Sequence, residues 1–201
     1  MSLTVTHAKV SAIADDPAAS AAGEVLPSDW NAAHIVTGAM SVFNVADFGA
    51  VGNGVSDDTT EIQAALDAAN AAGGGVVWVP PGTYKISNSL IVYSNTHVRG
   101  AGRGATTLRG TAGAYSGKTI NGGSSIYCTI AMTSASRSSV KSLTVDHATN
   151  STTANGIAIL FDGTETPSNM CVIEDCEVLG YDSHQYLIWN YMGVGSKIIN
   201  N

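Results

Sequence analysis

The chain has 201 residues, of which 44% are hydrophobic and only 12% charged, with 22 glycines and a formal charge of −7. That leaves room for one ordinary domain plus an appendage, and the mix of low charge and frequent glycine suits many short strands better than long surface helices. Nine scattered basic residues make no phosphate-binding surface, and no apolar run approaches the ~18 residues of a membrane span, so neither nucleic acid nor membrane insertion is expected.

Residues 1 to about 40 differ in character from the rest of the chain. They are Ala-rich, with a turn at Asp15-Asp16-Pro17, and Pro27-Ser28 reads as a loop feeding an N-cap, with Asp29 and Trp30 in the first turn of a short helix. The segment is too poor in bulky apolar residues for a core of its own. Val25, Leu26, Trp30, Ile35 and Val36 must therefore pack on the downstream domain or on a partner.

The next stretch, FNVADFGAVGNGVSDDTTEIQAALDAANAAGGGVVWVPPGTY from Phe43 to Tyr84, reads as a short strand, a Gly-rich turn, a helix over about 58–72 and a second strand. Ile62, Ala65, Leu66 and Ala69 fall at i, i+3, i+4 and i+7 and form one narrow apolar stripe. Asp58 with Glu61 has the spacing of a capping box, and Asp57 with Thr60 is the alternative one residue earlier. Gly73, Gly74 and Gly75 supply a left-handed exit. The strand Val76-Val77-Trp78-Val79 comes next and is stopped by Pro80-Pro81.

The succession DFGAVGNGVSDDTTEIQAAL, GGGVVWVPPGTY and HVRGAGRGATTL, within residues 43–109, resembles the start of the pectate-lyase-like, right-handed parallel β-helix family common in phage tailspikes and polysaccharide depolymerases. The resemblance implies that the helix plugs the N-terminal mouth of the β-helix. The earlier stretch LPSDWNAAH resembles the N-terminal segments of phage tail-fibre and tailspike proteins, which join the virion. The family's active groove usually lies on outward faces of central coils, beyond the plug. No catalytic set of polygalacturonases or calcium-dependent pectate lyases matches here position by position, so no catalytic residue, cofactor or metal ligand is carried over.

From residue 90 onward apolar patches at 90–92, 96–98, 126–132, 140–145, 157–161, 172–178, 186–189 and 198–199 are separated by Gly, Ser, Thr and Asn, with no hairpin dipeptide between neighbours. An apolar-polar-polar-apolar pattern recurs in Val140-Lys141-Ser142-Leu143 and in Ile173-Glu174-Asp175-Cys176, 33 residues apart, and a third copy starts 26 residues later at Ile199. Such spacing fits one coil with variable loops, with Val140, Leu143, Val145, Ile173, Cys176 and Val178 stacked inward. Residues 110–125 interrupt the spacing and read as a projecting loop. Cys128, Cys171 and Cys176, odd in number and without C-x-x-C spacing, read as reduced, buried thiols.

Each chemical constellation has a plain alternative. Asp57 and Asp58 precede a helix, where capping explains them better than acid-base work. GAGRGATTL lacks the ending of a phosphate loop and reads as a tight turn between coils. Asp146 with His147, and Asp182 with His184, end apolar patches where a coil turns outward, which suits a general acid, a metal ligand or a solvated turn residue, the last being favoured. Of Glu174 and Asp175, one faces out and the other lies at a coil corner. A second carboxylate from a neighbouring coil would complete the pair that glycoside hydrolysis requires. Arg99, Arg103 and Arg109 point outward, to bind acidic sugars or simply to be solvated.

The fold expected is thus all-β, a right-handed single-stranded parallel β-helix with an N-terminal capping α-helix. Residues 1–40 form a virion-attachment segment and residues 41–201 the first part of the β-helix, with further coils expected after Asn201. The function expected is that of a phage tailspike or tail-fibre protein, made in the host cytoplasm and carried on the virion. It would be a homotrimer that contacts phage tail or baseplate proteins through residues 1–40 and host surface polysaccharide through the β-helix, with no cofactor. A free polysaccharide lyase or glycoside hydrolase, and a non-catalytic structural virion protein, are the rivals.

Overall fold

The computed structural model describes residues 4–5, 34–35, 40–111, 118–120, 124–147, 156–162, 170–180, 185–191 and 195–201. The chain forms two units, residues 1–39 and residues 40–201. In the first, β1 (Thr4–Val5) pairs antiparallel with β2 (His34–Ile35). The turn expected at Asp15-Asp16-Pro17 and the short helix expected at Trp30 lie outside the described residues.

The second unit is built from many short strands that follow one another round successive coils. It opens with β3 (Val42–Asn44), a 3-10 turn (Val45–Phe48), β4 (Asn53–Asp57) and the helix α1 (Thr59–Ala71), so part of the expected Gly-rich turn is a strand. A first full coil comes next, β5 (Gly75–Val79), β6 (Gly82–Ile86) and β7 (Leu90–Ile91). The second consists of β8 (Thr96–Gly100), β9 (Thr106–Gly110), β10 (Lys118–Ile120) and β11 (Ser124–Thr133). Then come β12 (Ser139–Lys141), β13 (Thr144–Asp146) and β14 (Gly156–Asp162), and after them β15 (Val172–Glu174), β16 (Glu177–Leu179), β17 (Gln185–Tyr191) and β18 (Lys197–Ile199). The patches at 140–145 and 172–178 are each two strands separated by a corner.

Corresponding strands of successive coils lie side by side and parallel in three sheets. The first runs β3-β5-β8-β12-β15-β18, the second β4-β6-β9-β13-β16, and the third contains β7, β11, β14 and β17. The exception is β10, which pairs antiparallel with the start of β11, so the stretch expected to be a projecting loop contains a hairpin strand.

The core is a set of in-register apolar rows. In the first sheet Phe43, Val77, Val98, Val140, Ile173 and Ile198 are stacked; in the second, Tyr84, Leu108, Val145 and Val178; in the third, Leu90, Ile130, Ile159 and Ile188. Val140, Leu143, Val145, Ile173 and Cys176 are fully buried, as their spacing predicts, and Val178 packs partly buried against the same core. A coil alone would leave this face wet. Neighbours at ~4.8 Å remove it from water at roughly 25 cal/mol per Å².

Between first and second sheets the chain turns through one left-handed residue per coil: Ser142 (φ 53°), Asp175 (φ 53°) and Asn200 (φ 54°). Asp and Asn are among the few side chains that visit this region readily. The repeated tetrapeptide is therefore a corner: inward strand residue, outward strand residue, left-handed residue, inward residue. The third copy begins one residue earlier than expected, because Ile198, not Ile199, is in register with Ile173. Asn201 thus falls at the Cys176 position, where its amide accepts from Cys176 N at 2.7 Å and donates to Ile173 O at 3.2 Å. Two successive isoleucines hide this phase in the sequence. GAGRGATTL is not the expected tight turn between coils but a wider connection within one coil, joining β8 to β9. Gly100 there is so close to the next coil that an added Cβ would stand 2.5 Å from Ser142 O.

Helix α1 buries Ile62, Ala65, Leu66 and Ala69 and touches strands of all three sheets as well as the 3-10 turn, so it lies across the end of the first coil. Its N-terminus departs from the capping-box expectation. The Asp58 side chain makes no cap bond; buried, it accepts from Val51 N (2.7 Å) and Gly52 N (3.2 Å) and closes the preceding turn. Asp57 takes the helix start instead, accepting from Thr59 N (3.1 Å) and Thr59 Oγ1 (2.5 Å) and from Ser87 Oγ. These hydrogen bonds outweigh desolvation, which is the largest single influence on Asp57, and hold its carboxyl below the usual range.

All three cysteines are buried and none is in a disulfide, and burial pushes the Cys176 thiol up to about 11. Native protein should leave all three unalkylated at pH ~8, with reaction appearing only on unfolding. Leu66→Asp, which puts an unpaired charge under the helix, should cost about 4 kcal/mol or more and lower the thermal midpoint by roughly 10 °C; an unchanged midpoint would refute the plug.

Candidate functional site

Because the central row of the first sheet faces in, the two flanking rows face out. One holds Val76, His97, Ser139, Val172 and Lys197; the other holds Asn44, Trp78, Arg99, Lys141, Glu174 and Ile199. Arg99 and Lys141 thereby stand on adjacent strands in direct register, two like charges one strand spacing apart. Lys141 is compensated by Glu174, Nζ to Oε2 2.6 Å. The exposed Arg99 guanidinium has no hydrogen bond or ion pair among the described residues. Beside them His97 Nδ1 and Ser139 Oγ are 3.0 Å apart, and burial, helped by the Lys141 charge, pushes the His97 pKa below its ordinary 6.5.

Two shallow hollows open on this face. One of about 220 Å³ is lined by Val76, His97, Ser139, Arg99 and Lys141 among others; the second, of about 370 Å³, by Arg99, Lys141, Ser142, Glu174 and Asp175. Arg99 and Lys141 are common to both.

The other two arginines are occupied. Arg103 reaches Asp175 (Nη2–Oδ1 2.7 Å) and the carbonyl of Asn200, tying the wide turn of one coil to corners two and three coils on, and its hydrogen bond holds the Asp175 carboxyl low. Arg109 Nε donates to Asp146 Oδ2 at 3.1 Å. Of three arginines alike in sequence, only Arg99 keeps its donors unengaged among the described residues. The signal that separates them is the coil period, which sets Asp175 and Asp146 beside the other two.

The carboxylate candidates divide differently from expectation. Glu174 faces out and Asp175 forms the corner, as the alternation predicts, but Glu174 has Lys141 and Ile199 in register with it and no second carboxylate, so the hydrolytic pair is not assembled there. Asp146 and His147 are not solvated turn residues. They are 7% and 6% exposed, with His147 Nδ1 2.9 Å from Thr129 Oγ1 and Asp146 Oδ1 buried without a hydrogen-bond partner among the described residues. Burial pushes the His147 pKa down although Asp146 opposes it. Asp182 and His184 lie outside the described residues. Among the described residues no three metal-ligating side chains converge, and no helix is long and apolar enough to cross a membrane.

Three parallel sheets wound by successive short strands, an inward apolar ladder and a helix across the first coil define the right-handed parallel β-helix class. Residues 42–127 match the family model described as rhamnogalacturonase A/epimerase, pectate lyase-like. Mannuronan C5-epimerase AlgE1 of Azotobacter vinelandii is 53% identical over 74 residues, 33% of this chain and 5% of that protein. The chain therefore spans only a small fraction of that relative. The A-module of A. vinelandii mannuronan C-5 epimerase AlgE4 superposes with a TM-score of 0.56 at 26% identity, covering 80% of this chain and 50% of the module. The Dettilon tailspike protein has the same fold, with a TM-score of 0.58 at 21% identity over 79% of this chain and 28% of the tailspike.

The depressed histidines set a pH window. His97 and His147 stay neutral in the folded state to lower pH than in the unfolded chain, so their contribution is complete above ~6.5 and is lost as pH falls through the folded values. Asp57 and Asp175 are likewise depressed, and their contributions fade only in the more acid range below ~4. Thermal midpoints should be level from pH ~7 to 8 and decline from ~6.5 toward 5, and His147→Gln should flatten part of that decline. A midpoint independent of pH between 7 and 5 would contradict both assignments.

Proposed function

We propose that the chain is the leading part of a phage tailspike or tail-fibre protein that joins the virion through residues 1–40 and recognises a host surface polysaccharide through the β-helix. The observation that carries the polysaccharide reading is the 53% identity over 74 residues to a mannuronan epimerase, which is well beyond what a shared fold alone needs. Attachment through the first segment rests on the LPSDWNAAH stretch and on that segment lacking a core of its own. On this reading the protein is a homotrimer, since closed cyclic symmetry suits a shaft that points away from a virion, and it resides in the phage tail after synthesis in the host cytoplasm. No residue is assigned a catalytic role.

A second reading, a polysaccharide-modifying enzyme outside a virion, is favoured by the same epimerase match. Two measurements separate the readings. The tail protein should retard in gels containing host capsular or exopolysaccharide and should block adsorption of the cognate phage; light scattering of the protein with its downstream region should give a trimer. A monomer that converts polymannuronate, detected by NMR of the sugar C5 position or by unsaturated chain ends, would establish the second reading. Failure to bind any bacterial polysaccharide would remove both.

A further inference from the structure

We infer that Ser139 and His97 form a nucleophile and base pair that hydrolyses a short-chain acyl ester, with the hollow beside them holding the acyl group and Arg99 and Lys141 facing the charge that develops on its carbonyl oxygen. This activity is separate from the polysaccharide reading and stands or falls without it.

The pair is built by register. Ser139 opens β12 and His97 is its partner on β8, so an outward hydroxyl and an outward imidazole lie one strand spacing apart, with His97 Nδ1 3.0 Å from Ser139 Oγ. That is the contact a base makes with the proton it removes. Ser139 is only 4% exposed, yet it lines the hollow of about 220 Å³, so what remains open of it faces that space. His97 is half-buried, in register with Val76 on one side and Ser139 on the other. Burial and the Lys141 charge both disfavour the imidazolium, so the ring is neutral at pH ~7 and able to accept a proton. The other charged groups around it are Arg99 on its own strand and Glu174, which engages Lys141 from β15; β5 contributes none.

The hollow sets the size of the substrate. Met40, Val76 and Val98 supply its apolar wall, and about 220 Å³ is below the ~300 Å³ at which sites for drug-sized ligands begin, so an acetyl or similarly short acyl group suits it. Arg99 and Lys141 line the same hollow, two residues beyond His97 and Ser139 on the same outward face, which puts their backbones ~7 Å away and their long side chains within reach. Positive groups aimed at a developing oxyanion are the principal device of acyl transfer.

The steps balance within the site. With the imidazole proton on Nε2, His97 Nδ1 takes the Ser139 hydroxyl proton as Oγ bonds to the ester carbonyl carbon. Collapse of the tetrahedral adduct breaks the bond to the alcohol oxygen, and the alcohol leaves with the proton from Nδ1. Water then adds to the acyl-serine, giving a proton to Nδ1, and the carboxylic acid departs as Ser139 regains its proton. Nothing is oxidised or reduced.

Reaction of the full chain with a fluorophosphonate, together with turnover of p-nitrophenyl acetate and octanoate, tests the pair. One adduct should form and map to Ser139, and the acetate should be turned over at least tenfold faster than the octanoate. Ser139→Ala should abolish adduct and turnover, and His97→Gln, which keeps a hydrogen-bonding side chain but accepts no proton, should slow both roughly 100-fold. In the wild type the labelling rate should rise with pH through a midpoint below 6.5, a titration absent from His97→Gln. A hydrogen bond that only satisfies a buried hydroxyl would move none of these readouts. Unmodified Ser139 in the folded wild type, or equal labelling of wild type and His97→Gln, overturns the inference. Should the thermal midpoint show that His97→Gln does not fold, the wild-type pH profile decides alone, and a flat profile overturns it. Polysaccharide binding, read separately by gel retardation, is untouched by any of these outcomes.

Discussion

The constraint on which everything else depends is that a coil of this chain cannot bury its own inner face. Val77 is dry because Phe43 and Val98 lie on either side of it, Val98 because Val140 does, and Val140 because Ile173 does. Stability is then a sum over neighbours, and each strand can be as short as two or three residues, because its pairing partners come from the coils on either side. At the first full coil β3 and β4 cover only two of the sheets, and α1 completes the cover with a stripe of Ile62, Ala65, Leu66 and Ala69. A helix with so little apolar bulk is held by the coil it covers, and the coil is kept dry by the helix.

The same stacking distributes polar groups. Along β15 only the central side chain, Ile173, is fully buried and both neighbours stay partly exposed, whereas in β13 all three residues are buried. Residues far apart in sequence then become adjacent: Arg103 and Asp175 are 72 residues apart and form an ion pair, and Thr129 meets His147 across two strands. Exposed pairs such as Lys141–Glu174 are worth little to stability, ~0–1 kcal/mol, and so can be exchanged for a ligand at small cost. Buried groups such as Asp58 behave oppositely. Its two backbone donors at Val51 and Gly52 have no other partner in that turn, which ties the turn to the helix start.

Much of this was legible in the sequence because a solenoid repeats local rules. The helix stripe, the inward residues at 140, 143, 145, 173 and 176 and the buried thiols follow from periodicity, breakers and composition, which act within a few residues. What misled was also local. Asp58 in front of a helix looks like a cap, and two consecutive isoleucines leave the phase of the last repeat ambiguous.

The sequence by itself thus determined the class of fold and most of its inward ladder, since burial in a coil depends on residue type and spacing along one chain segment. Only the tertiary structure decided which charges are engaged. It buried Asp146 and His147, paired Arg103 and Arg109, sent Glu174 to Lys141 instead of to a second carboxylate, and left Arg99 exposed beside Lys141. Those outcomes depend on the register between coils some 25 to 40 residues apart, and electrostatic partners are set by that distance in space, which no local pattern encodes.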